Sequence, residues 1–167
     1  KIVPAGDGAV IGSFVRDIAT FMSPRHVHAA KFAADGSVAW GPVPVYDAGS
    51  IPIAHVPRLV SDGAGGAVLA WHTAPISVFS SRVQRLDADG DERWPHDGVL
   101  VSTSDTMSQI DPALAFNAAT GEVLVAWNER NANQSQWGIY AQKLDTMGNR
   151  VWGDAGAVLA PVDGTYK

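Results

Sequence analysis

The stretch Leu86–Trp94, LDADGDERW, decides the fold, because the chain writes it twice more with changes. It appears as FAADGSVAW from Phe32 to Trp40 and as LDTMGNRVW from Leu144 to Trp152. Each copy runs from an apolar residue through a glycine-centred turn to a tryptophan four residues after the glycine. The tryptophans Trp40, Trp94 and Trp152 stand 54 and 58 residues apart. A second aromatic precedes each copy, at the end of GAVIGSF (Phe14), GGAVLAW (Trp71) and GEVLVAW (Trp127), with steps of 57 and 56 residues. Two independent markers with one period define a tandem repeat, and periods of this size point to stacked supersecondary units.

Outward from these markers each unit reads as four short strands. Strand A opens after a proline, as in PRLVSD from Pro57 and PALAFN from Pro112. Strand B is the small-apolar run that ends in the aromatic. Between them lie DGAGG and AATGE, turns with the glycine that a positive φ favours. Strand C is HVHAAKF, SRVQRL or IYAQKL, alternating in the manner of a strand with one face buried. After the turn and its tryptophan comes strand D, PVPVY, GVLVS or GAVLA. No segment holds a helical period over ten or more residues.

Four antiparallel strands repeated at this interval is the arithmetic of a β-propeller blade. The expected fold is all-β, with blades at 1–56, 57–111 and 112–167, forming part of a propeller of about 6–8 blades. Trp40, Trp94 and Trp152 are expected to wedge against the neighbouring blade, and Phe14, Trp71 and Trp127 form the second aromatic set of that packing. The first and last residues share one phase, the junction between strands D and A. Three blades do not close a ring, so their outer faces are expected to meet further blades of a longer parent chain, a second copy, or another subunit.

The residues DGAGGAVLAW…RVQRLDADGDERWPHDGVLV and GEVLVAWNERNANQSQWGIYAQKLDTMGNRVWGDAGAVL resemble the repeats of large exported bacterial proteins with predicted propeller domains. Those repeats carry a GGaivaW strand, an iyaQrld strand, and then G…W…G and a valine-rich strand. The likeness covers nearly all of the second and third units. The first diverges, with Phe14 for Trp and Ala30 where the others have Gln84 and Gln142. The resemblance implies fold and a secreted or periplasmic location. Asp87 through Gly90 to Trp94 is also distantly similar to the tryptophan-docking repeat of pyrroloquinoline-quinone propeller proteins. The adjacent cysteines of that family's dehydrogenases have no counterpart in a chain with no Cys. Sialidase-type Asp boxes place their aromatic one residue earlier.

The 167 residues are 46% hydrophobic and 17% charged, enough for one globular domain, and carry a net charge of −5. That balance disfavours a nucleic-acid partner, which needs clustered Lys and Arg. No run approaches a membrane span. Without Cys there is no disulfide, thiol catalysis or Cys-ligated metal. The acids Asp87, Asp89, Asp91 and Glu92 lie in a two-strand turn without the later glutamate of a calcium loop. His26 and His28, two apart on strand C, share one face and are expected on a variable outward surface. Lys31, Arg85 and Lys143 align, one cation per unit, either lying over the blade face or pairing with acids such as Asp87 and Asp145. No catalytic, cofactor or metal set rises above background.

The turns A–B and C–D are short and uniform, whereas the connections B–C and D–A are longer and differ in every unit. Variable loops on a rigid scaffold are where specificity is usually placed. The expected function is a non-catalytic protein-binding or assembly module using that loop face, with Phe21, Met22, Ile76, Phe79, Asn131, Gln136 and Trp137 as contact residues. The alternatives are a carbohydrate-binding propeller with stacking aromatics, or part of a propeller enzyme whose active residues lie outside these units.

Overall fold

A computed structural model describes residues 1–20, 22–74 and 78–164. It is all-β: three separate four-stranded antiparallel sheets, each a meander in chain order. The first holds β1 (Ile2–Pro4), β2 (Val10–Asp17), β3 (Arg25–Phe32) and β4 (Val38–Tyr46). The second holds β5 (Arg58–Ser61), β6 (Ala67–His72), β7 (Ser81–Leu86) and β8 (Val99–Leu100). The third holds β9 (Ser108–Asn117), β10 (Glu122–Arg130), β11 (Trp137–Leu144) and β12 (Ala157–Asp163). The described residues contain no helix long and apolar enough to cross a membrane.

Among the boundaries that differ from those read in the sequence, two have a clear physical reason. β9 starts at Ser108 and runs through Pro112, which has no N–H to donate. The ladder tolerates it because the register against β10 shifts between Ala126 and Asn128, and Asp111 takes a positive φ of 51° at the irregularity. β4 begins at Val38 and carries Trp40 inside the strand, whereas Trp94 and Trp152 lie outside any strand. The cause is a buried glutamine. In the second sheet the Gln84 amide donates to the carbonyls of Trp94 and Pro95 and accepts the Trp94 N–H. Gln142 does the same for Trp152 N–H and the Gly153 carbonyl. These side chains take the backbone groups that a neighbouring strand would otherwise satisfy. Ala30 stands in their place in the first sheet, and there β4 pairs directly with β3.

The core lies between the sheets. Val27, Ala29 and Val45 of the first sheet pack with Leu69, Trp71 and Leu86 of the second. Val68, Ala70 and Val83 of the second pack with Val123, Val125, Trp127 and Leu144 of the third. All six residues of β6 are therefore buried, as befits a strand covered on both faces. Alternation sends Leu69 and Trp71 backward and Val68 and Ala70 forward. Trp71 meets Tyr46 of the preceding sheet with ring centroids 5.7 Å apart.

A second joint repeats at the turns. The Trp40 Nε1–H donates to the Ala88 carbonyl (2.9 Å), and the Trp94 Nε1–H to the Thr146 carbonyl (3.2 Å), each in the following sheet. The indoles rest on Gly90 and Gly148: a Cβ there would stand 2.8 Å and 2.9 Å from the ring atoms. Both glycines have φ near +85°, as the turn requires. The Lys31 ammonium also reaches across, donating to the carbonyls of Gly65 and Ala88. Arg85 stacks on Phe116 of the third sheet, 4.8 Å from its centroid, and pairs with Asp62. Lys143 pairs with Glu122 within its own sheet.

Candidate functional site

A meander places the B–C and D–A connections at one end of each sheet, and there the three sheets build a cleft of about 630 Å³. Its lining includes Lys1 of the first sheet, Ile53 and His55 from the first D–A connection, Arg58 and His72 of the second sheet, and Asp111 of the third. One polar cluster thus draws on all three units.

Its centre is a pair of histidines with ring centroids 4.0 Å apart, edge to face. His72 ends β6, where the buried strand carries its ring out of solvent, leaving it 7% exposed. The Asp111 N–H donates to its Nδ1 (3.2 Å), and its own backbone N–H donates to His55 Nε2 (3.4 Å). The bulge at Asp111 aims that amide at the ring. Burial, then the neighbouring His55, lowers the His72 pKa to about 4, with the Asp111 charge opposing. Burial also lowers the His55 pKa, again against Asp111. Near neutral pH both rings are uncharged, between a carboxylate and the Arg58 guanidinium.

Ligand atoms of His55, His72 and Asp111 lie within 4.8 Å of one another, as do those of Asp47, His96 and Asp97. In the first set the His72 Nδ1 lone pair already accepts an amide, which puts the proton of the neutral ring on Nε2. In the second, His96 Nδ1 lies 2.8 Å from Glu92 Oε2 and Nε2 3.2 Å from Asp47 Oδ1. The imidazolium suits that bracket, since both nitrogens then donate. The hydrogen bond that His96 donates to Glu92 leads the causes that raise the His96 pKa. Asp97 Oδ1 meanwhile accepts the amides of Asp47 and Ala48. As arranged, the first set is a hydrogen-bonding surface and the second an inter-sheet clamp.

The loop residues singled out in the sequence fall into distinct roles. Met22 is 87% exposed. Trp137 is 40% exposed and carries the Arg130 guanidinium 3.4 Å from its ring centroid, a cation–π pair. Gln136 is exposed beside it. Asn131 is an internal brace: its Oδ1 accepts the amides of Ser135 and Gln136 and its Nδ2 donates to Ser135 Oγ. Phe79 turns inward, its ring edge-on to His72 with centroids 5.9 Å apart. Phe21 and Ile76 lie outside the described residues.

Other candidates resolve into structure. Asp87 Oδ1 accepts the amides of Asp89 and Asp91, and Asp145 Oδ1 those of Met147 and Asn149, so these carboxylates hold turns. His28 is buried and stacks on Phe14 (5.8 Å), so the variable outward face expected for it is occupied by an aromatic partner. His55, His72 and Asp111 were not legible as a group. They are 17 and 39 residues apart, and only the stacking of the sheets joins them. No protein-family model matches the chain, and no curated protein is significantly similar to it.

Proposed function

We propose that the three sheets are consecutive blades of a β-propeller, and that the chain is a non-catalytic scaffold module of an exported bacterial protein. It binds a protein partner through the end of the sheets that carries the B–C and D–A connections. The reading rests on the segregation of the two ends. At one end the turns are near-copies, consumed by their own Asp caps and by the Trp–Gly joints. At the other, every loop differs, Met22 and Trp137 are exposed, and the histidine cleft is lined by Ile53, His55, His72 and Asp111.

The test is site-specific photo-crosslinking in the source cell. A crosslinking residue at position 137 yields a discrete protein adduct, and one at Asp89, exposed in a turn at the opposite end, does not. Equal adducts from both ends, or none from position 137, overturn the reading. A lectin remains a second reading because Trp137 keeps exposed aromatic surface. Glycan-array binding lost on Trp137→Ala would favour it.

A further inference from the structure

The clamp between the first and second sheets gathers more negative charge than it balances. Asp47 directly follows β4, and His96 and Asp97 form the corner of a turn closed by the Gly98 N–H on the Pro95 carbonyl (3.0 Å). Together with Glu92 they set three carboxylates around one imidazole. Among the described residues His96 is the ion-pair partner of all three acids, and no Lys or Arg joins it. Arg82 acts on Asp97 from nearby, but its Nη1 donates to the carbonyls of Asp97 and Gly98. Even an imidazolium leaves two of the three negative charges uncompensated. Glu92 Oε1 is also buried without a hydrogen-bond partner, an anionic oxygen short of positive charge.

The imidazole is presented as that of a metal-binding histidine is. Its Nδ1 lies 2.8 Å from Glu92 Oε2, and a carboxylate on one ring nitrogen fixes the ring and leaves the other nitrogen to coordinate. That other nitrogen, Nε2, faces Asp47 Oδ1 at 3.2 Å and Asp97 Oδ1 at 3.9 Å. Two ligand atoms on one tetrahedral ion stand about 3.3 Å apart, so little movement closes the set. Asp97 is already oriented, because its Oδ1 accepts the amides of Asp47 and Ala48. The His55–His72–Asp111 set differs: backbone N–H groups aim at its ring nitrogens, and their dipoles oppose a cation.

We infer that Asp47, His96 and Asp97 bind one divalent transition-metal ion, which straps the first sheet to the second, with Glu92 orienting the histidine. An imidazole ligand selects zinc and its neighbours over calcium or magnesium, which prefer oxygen alone. The ion takes the place of the proton between His96 Nε2 and Asp47, and water completes its shell on the exposed side. The inference depends neither on the propeller reading nor on partner binding, because both sheets and all four side chains belong to the described chain.

Calorimetric titration of the untagged, metal-free chain with zinc chloride tests it. The wild type takes up one equivalent. Asp47→Asn, Asp97→Asn and His96→Gln each remove a ligand and weaken binding at least about 10-fold; Asn tolerates the positive φ of position 97. Glu92→Gln keeps every ligand and still weakens binding about 10- to 100-fold, the scale of a lost orienting carboxylate. His55→Gln, in the other histidine cluster, leaves binding unchanged. Zinc raises the urea midpoint of the wild type and not that of Asp47→Asn, since Asp47 is the ligand from the first sheet. X-ray absorption of the zinc complex shows one imidazole among oxygen ligands. Absence of binding, two imidazoles in the shell, full affinity in Asp47→Asn or Glu92→Gln, binding lost in His55→Gln, or calcium bound as tightly as zinc overturns the inference.

Discussion

The Trp94 indole covers Gly148 so closely that a Cβ there would stand 2.9 Å from both Cγ and Cδ2 of the ring. Trp40 covers Gly90 in the same way. The apolar contacts between the first two sheets, Val27 and Val45 with Leu69 and Trp71, are side chain on side chain and can adjust. This one is ring on backbone and has no slack.

Gly90→Ala and Gly148→Ala should each destabilise by about 2–4 kcal/mol. About 1–2 comes from an L residue held at positive φ and the rest from the displaced indole. Among the described residues Gly36→Ala meets no ring, so within the three sheets it should lose only the backbone part. Urea denaturation of the three variants reads the difference. Equal losses at all three positions would show that the rings do not constrain these turns.

Gln142→Ala should cost about 2–4 kcal/mol, because it strands the Trp152 amide and the Gly153 carbonyl that the side chain serves. Gln84→Ala should cost a similar amount. Ala30 is natural at the equivalent place, so Ala30→Gln should bring no gain: β4 already pairs there and Gly41 lies close against Ala30. Denaturant midpoints of the three variants check the asymmetry.

The His72 ring sets an acid limit. Its folded pKa of about 4 lies below the unfolded 6.5, so between those values the unfolded chain takes up a proton that the folded chain refuses. Stability is fully present above pH 6.5 and falls as pH drops toward 4, by up to about 3 kcal/mol. His72→Gln should flatten this part of the curve in chemical denaturation at stepped pH.

His96 acts with the opposite sign. Its pKa is raised in the folded state, led by its bond to Glu92, so the clamp to Asp47 strengthens folding below pH 6.5. That contribution is lost as pH rises through the raised value. Because the ring is 45% exposed, the effect should also shrink with salt. His96→Phe should abolish the salt-sensitive component between neutral and alkaline pH and leave the acid limit in place.

Much of the architecture was legible because the repeat is written in local chemistry. Apolar alternation over GGAVLAW and RVQRL sets strands, Asp and Gly set the turns, and the period sets how many sheets follow. The cross-sheet partners were not legible. Lys31 suggested either a place over the blade face or an ion pair with a nearby acid, and its ammonium takes two carbonyls of the next sheet. Asn131 and Phe79 looked like loop contacts, and one braces its own loop while the other packs inward. The histidine cluster left no trace in the chain, since neither repeat spacing nor periodicity brings positions 55, 72 and 111 together.

The order of residues alone determined that there are three similar sheets, where their turns fall, and which positions carry tryptophan. Those properties depend on neighbours a few residues apart, so a short window contains their cause. Tertiary structure decided which indoles are covered, which glycines serve as their seats, and that His72 loses its charge. These follow from the desolvation and contact that one sheet imposes on the next, and both are set by stacking between residues far apart along the chain.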